Sequence, residues 1–389
     1  MNVSLNGEDF PLYVVEENMD TKVIEHNEQR AGIVLKFDSE DMMFVYGNPA
    51  YNKLFLSVNP VAYLESKIFP SKTLSNQYYM ARNLFEAFRL GNLATHEAFD
   101  IDKLATLFAV SDFMGHNHST ALHNVKFYYN PVTSLLEPIP YDNSKIVKTN
   151  TLIGKIAITH IDAKMISWLP TIFNDELFLE AYMKQLIHLS KKETLDAFFE
   201  SVKEESDYRL GLLRKNYPSY TAEKRLAIYR NQERVDMALK SIKKANFEIE
   251  IDKNAKDAEN ISARIKNKFL LPLRIKNIQI GDNVLKLNGK KTVQASSEQK
   301  LYANCSFKLA KGDLKNIDWN ETATVNFSLP STNKSLVEEI DFQDITNEKE
   351  TTYQHLAFID DIVKKDKRPL TDLFDIKSIA QQIALYDCL

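Results

Sequence analysis

Apolar and polar positions alternate at the start of the chain. Val3 and Leu5, the turn Asn6-Gly7-Glu8-Asp9, and then Leu12 and Val14 read as a β-hairpin. A second short strand is expected over 32–37, after a polar connection. The period then lengthens: Leu74, Tyr78, Ala81, Phe85 and Phe88 share one helical face, and Gly91 stands where a helix C-terminus favours glycine. Asp100 or Asp102 can cap a second helix through about Met114, apolar on all sides and therefore buried. Extended runs over 125–129 and 134–139, around Asn130-Pro131-Val132-Thr133, form a hairpin that returns the chain from Asn124 to Asp142.

From about Phe173 to Lys244 the pattern is helical. Ser190 and Glu193 have capping-box spacing, and Pro218 interrupts before a helix starting near Thr221, which gives three helices. Beyond about Lys253 the chain alternates Leu, Ile and Lys, with turns at Gly281 and Asn288-Gly289, and reads as β-rich. The expected fold is α+β. A first domain spans 1–250, a polar linker 251–260, and a β-rich domain 261–389 that closes with a short helix from Leu370.

Length and composition, at 389 residues, 44% hydrophobic and 26% charged, fit a folded protein of two or three domains. A net charge of -4 gives no electrostatic case for nucleic acid. Cys305 and Cys388 are too few and too far apart to point to a disulfide framework or a cysteine zinc site. No run approaches the roughly 18 apolar residues of a membrane helix, and the first residues lack the order of a signal peptide. The ten glycines leave no G-x-G-x-x-G, G-x-x-x-x-G-K-S/T or G-x-S-x-G, and H-E-x-x-H is also absent, so the commonest dinucleotide, P-loop, hydrolase and zincin signatures are missing.

Candidate chemistry concentrates in 112–142, which holds His116, His118 and His123, three of the eight histidines, followed by Asn124 and the isolated Asp142. Two chemistries fit those residue types. One is a zinc or manganese site from the His116-x-His118 pair with His123 or Asp142, as a zinc-dependent hydrolase would need. The other is a phosphoryl-transfer loop: His118 or Ser119 as the group beside an attacking hydroxyl, Asn124 as an amide ligand for magnesium, and Asp142 as the acid that joins magnesium to phosphates. His116 and His123 also read as polar residues at a helix C-terminus, Asn124 as a cap and Asp142 as a turn acid.

The segments NVSLNGEDFPLYVVEENMD, RAGIVLKFDSED, ARNLFEAFRLGN, FDIDKLATLFAVSDFMG and HNVKFYYNPVTSLLEPIPYD occur in an order that resembles the spore coat protein H (CotH) kinase family, over residues 1 to about 245. The resemblance implies a kinase-like fold with a partial small lobe and a mostly helical large lobe. It further implies binding of ATP and Mg²⁺, with Asn124 and Asp142 as magnesium ligands and transfer to protein Ser or Thr hydroxyls. The chain departs from the family at several points. His118 and Ser119 stand where a catalytic-loop aspartate is usual, Ser144 replaces a second acid, and Pro11 replaces a glycine. The family's lysine-bearing strand and the helix with its partner glutamate do not precede the hairpin, so the chain reads as N-terminally truncated. With those groups missing, the same resemblance implies a pseudokinase whose β-rich domain makes protein or envelope contacts.

Overall fold

The computed structural model describes residues 3–10, 19, 21–38, 55, 58–116, 118–122, 124–142, 146–149, 152, 168–220, 223–240, 247–251, 261–267, 271–293, 303–311, 317–332 and 335–344. Asn6 and Gly7 both take left-handed φ, 55° and 85°, and join β1 (Val3–Leu5) to β2 (Glu8–Phe10) in a tight antiparallel hairpin. This is the geometry that Asn-Gly favours in a two-residue turn. The returning strand therefore starts at Glu8, earlier than the alternation placed it, while Leu12 and Val14 lie outside the described residues.

A four-stranded antiparallel sheet follows, built from β3 (Val34–Phe37), β4 (Pro60–Ala62), β5 (Lys126–Asn130) and β6 (Leu135–Ile139) in the order β4-β3-β5-β6. Short helices α1 (Thr21–His26) and α2 (Glu65–Ile68) flank it. The expected amphipathic helix is α3 (Lys72–Arg89), capped by the Ser71 hydroxyl and burying Tyr78, Ala81, Phe85 and Phe88. After α4 (Thr95–Ala98) comes α5 (Ile101–Met114). Its N-cap is Asp100, whose carboxylate accepts from the Lys103 amide, and this decides between the two candidate aspartates.

Aromatic rings link the small sheet to the helices behind it. Phe37 packs on Phe85, Phe88 on Phe99, Phe99 on Phe127, Phe127 on Trp168, and Trp168 on Phe108, with centroids 4.8 to 5.9 Å apart. Each of these rings is at most 3% exposed, so the run forms one continuous core. It ends at Phe173 and Tyr182, beneath the segment that carries the candidate chemistry.

Helices α6 (Leu169–Ile172), α7 (Glu176–Leu189), α8 (Lys192–Ser201), α9 (Lys203–Asn216) and α10 (Glu223–Lys240) follow. The expected capping box does not form. Lys191 is the N-cap of α8, and the Ser190 hydroxyl donates back to the Ile187 carbonyl because Ser190 still closes α7. Val202, which joins α8 to α9, adds a break that the periodicity did not show, so four helices of ten residues or more stand where three were expected.

The remaining strands are β7 (Phe247–Ile251), β8 (Ile261–Asn267), β9 (Leu273–Ile280), β10 (Asn283–Val293), β11 (Ala303–Lys311), β12 (Ala323–Ser328), β13 (Leu336–Ile340) and β14 (Phe342–Asp344). They form one sheet, β13-β12-β9-β10-β11-β8-β7-β14, antiparallel except for β7 with β14. Only Asp341 separates β13 from β14, which lie at opposite ends of that order, so the sheet curls until its ends approach. The Phe247 amide donates to Glu338 across this gap, and the rings of Phe247 and Phe327 meet at 5.0 Å. The sheet begins at Phe247, ahead of the expected 251–260 linker, because β7 pairs fully with β8. Asn288-Gly289 lies within β10 at a register shift against β9, a bulge where a turn was expected. The expected helix from Leu370 lies outside the described residues.

Arg274 of β9 pairs with Glu176 and Glu180 of α7, the Thr292 hydroxyl donates to Glu176, and the Ser331 hydroxyl donates to the Glu180 carbonyl. The molecule is a mixed α+β protein with a helical part docked on a curled sheet. Among the described residues, no helix is long and apolar enough to cross a membrane.

Candidate functional site

The site is built where α5 ends. Asp112, 2% exposed, accepts a hydrogen bond from the Tyr182 hydroxyl, so the last turn of the helix is tied to the aromatic core. Gly115 ends the helix with φ 67°, and a Cβ added there would stand 2.2 Å from the Val147 carbonyl oxygen. Only glycine combines that backbone angle with so close an approach. Residues 146–149 lie against the turn as a strap. The Val147 amide donates to the Met114 carbonyl at 2.9 Å, and the Thr149 hydroxyl donates to the Asp112 carbonyl. Asn231 of α10 fastens both layers, donating to the carbonyls of Phe113 and Val147 and accepting from the Thr149 amide.

A single 3₁₀ turn, His118–Thr120, leads from this point toward β5. The Trp168 indole donates to the Thr120 carbonyl at 2.9 Å, and the Asn124 amide donates to the Ala121 carbonyl at 2.9 Å. Ser119 is fully buried with its hydroxyl 3.1 Å from that of Ser111. Its hydroxyl is turned into the core beside Ser111, whereas the His118 ring reaches Asp142. β5 and β6 then carry the chain out and back, with Lys126 opposite Ile139 in the register.

Asp142 sits past the end of β6 with φ 52°, in the left-handed region that aspartate tolerates at a cost of about 1 kcal/mol. From there its Oδ2 lies 2.9 Å from His118 Nδ1 and 3.5 Å from Asn124 Nδ2. Asn124 Nδ2 also lies 3.3 Å from the His118 carbonyl oxygen. His118, Asn124 and Asp142 therefore meet at the two ends of the hairpin. The side chains of His118 and Asp142 are 41% and 42% exposed, so their pair contributes little to stability and faces solvent. Asn124 is 9% exposed and gives the group a fixed wall.

The His116 ring lies 5.5 Å from that of His118, but among the described residues no three His, Cys, Asp or Glu side chains gather as a metal-ligand set. A zinc site of His116, His118 and Asp142 is thus not assembled, since zinc takes three or four protein ligands. His123 and Ser144 lie outside the described residues. Magnesium makes a different demand: it is satisfied by one or two protein oxygens when phosphates and waters complete its shell. Asp142 would supply a carboxylate oxygen and Asn124 its Oδ1, although in this structure Asn124 turns Nδ2 toward Asp142.

The sequence reading missed Lys126. Its ammonium lies 3.6 Å from the centre of the Tyr141 ring and donates to the Asn124 carbonyl at 3.1 Å, although the residue is only 9% exposed. One side chain thus clasps the residue before Asp142 and the backbone of Asn124, holding the two ends of the hairpin together. Lys126 opens β5 two positions after Asn124, but its reach to Tyr141, past the end of β6, could be known only from the fold. Asn231, about a hundred residues away in sequence, carried no local signal at all. Compared with known proteins, the chain matches no family model and no curated protein.

Proposed function

We propose that this chain binds ATP with Mg²⁺ at Asn124 and Asp142 and transfers phosphate to a protein Ser or Thr hydroxyl, in the manner of the CotH kinase family that it resembles. The convergence of Asn124, Asp142 and His118 at the mouth of one hairpin carries this reading. The four-stranded sheet with α3, read as part of a small lobe, and the helices α5 to α10, read as a large lobe, fit the kinase-like organisation that the resemblance implies. When bound, the ion would neutralise phosphate oxygens.

The residues of the chain have separable tasks. Asp142 and Asn124 would hold the ion, and Lys126 keeps their spacing through Tyr141 and the Asn124 carbonyl. His118 replaces the acid usual in the family. Its imidazole, set against the Asp142 carboxylate through Nδ1, would accept the proton of a hydroxyl. One observation favours a second reading, that of a pseudokinase: His118 occupies the same carboxylate oxygen that would ligate the ion, and no acid stands in its place.

The test is transfer of labelled phosphate from ATP by the full chain to itself and to a Ser/Thr-containing acceptor protein. The account expects Mg²⁺-dependent transfer that is lost in Asp142→Asn and falls about 10²-fold or more in His118→Ala. Mg²⁺-dependent nucleotide binding without transfer selects the pseudokinase. Neither binding nor transfer removes both readings.

A further inference from the structure

Where the helical part meets the curled sheet there is a cleft of about 740 Å³. Sites for small ligands typically occupy roughly 300–1,000 Å³ and favour such junctions. The apolar part of the lining comes from both sides: Ile187 near the end of α7, Leu239 near the end of α10, Leu329 just after β12 and Leu336 at the start of β13. None of these residues belongs to the hairpin site.

Polar groups enter from two walls. One is the start of α8, where Lys191 and Lys192 outnumber Glu193 and no side chain caps the helix, so its first amides add to a positive end. The other is α10, which contributes Gln232, Glu233 and Asp236. Asp236 is held at 2.6 Å by Lys240, which also lines the cleft. Lys191, Lys192, Glu193 and Glu233 have no ion pair among the described residues. The two walls therefore carry opposite net charge.

Gln232 joins them. It is 4% exposed, and its Nε2 donates to the carbonyls of Leu189 at 2.7 Å and Lys191 at 2.9 Å, which brings α10 against the start of α8. Those two bonds settle the orientation of the amide, and its Oε1 accepts no hydrogen bond from any described residue. That oxygen is not sealed in the core, and it stands where a ligand N–H in the cleft can reach it.

We propose that this cleft binds a short peptide of apolar residues by both of its ends. The carboxylate lies at the start of α8 with Lys191 and Lys192, the ammonium at Glu233, a peptide N–H at Gln232 Oε1, and the side chains against the leucines. Each part of the lining answers one part of a zwitterion with an apolar body. A single amino acid would leave most of the volume unfilled.

Isothermal titration of the full chain with trileucine tests this, with the N-acetylated and C-amidated peptides probing one end each. Free trileucine is expected to bind, and each blocked form at least about tenfold more weakly. Glu233→Gln should abolish the preference for a free amine and leave that for a free carboxylate, whereas Lys191→Gln with Lys192→Gln should do the reverse. All three side chains belong to exposed residues, so circular dichroism should show the fold unchanged. A wild type that does not bind trileucine, that binds the doubly blocked peptide equally well, or whose end preferences survive both sets of substitutions overturns the inference.

Discussion

At the scale of single residues, the site depends on positions whose chemistry is ordinary and whose placement is not. Gly115 combines a left-handed φ with a backbone oxygen 2.2 Å from the position a Cβ would take. Gly115→Ala should lower stability by about 3 kcal/mol in denaturant titrations. Tyr128, 2% exposed, has its phenol pushed up, first by burial and then by the nearby Glu137 carboxylate. Because the fold holds the phenol proton more tightly than the unfolded chain does, this contribution is complete below the ordinary phenol range and is lost as pH rises through it. Thermal melts should show that alkaline loss reduced in Tyr128→Phe. His118, Asn124 and Asp142 were legible in the sequence because the hairpin between them announces itself by extended runs around Asn130-Pro131. Lys126 was not, since nothing along the chain shows that its ammonium reaches the Tyr141 ring.

At the scale of elements, local rules were followed wherever local chemistry decided the outcome. Asp100 caps α5, and α3 buries the face that its periodicity marked. They failed where a distant partner or a neighbouring element intervened. Ser190 serves the end of α7 and does not start α8, and the Asn288-Gly289 pair bulges within β10 because the strand continues its pairing with β9. The strap over Gly115 is held from α10 by Asn231, 84 residues from Val147. Asn231→Ala would leave the buried Phe113 carbonyl and Thr149 amide and the partly buried Val147 carbonyl without this partner, at a cost of about 2–4 kcal/mol. Amide hydrogen exchange at Thr149 should accelerate accordingly, while exchange within β5 stays slow.

At the scale of the whole molecule, a helical part carries the candidate site, and a curled sheet docks on it through Arg274, Glu176 and Glu180. The mixed α+β character was readable from the change of period along the chain. The curl was not, because it depends on β13 and β14 pairing with strands at opposite ends of the sheet while only Asp341 lies between them. We propose a magnesium-bridged nucleotide on the open face of the hairpin, where the Asp142 carboxylate and the Asn124 side chain lie in reach of each other. Isothermal titration of the full chain with ATP, in the presence and absence of Mg²⁺, addresses that claim most directly. The account predicts Mg²⁺-dependent binding that weakens at least about tenfold in Asp142→Asn, a loss of about 1.4 kcal/mol or more. Binding that is absent, or that is indifferent both to Mg²⁺ and to Asp142, would contradict it.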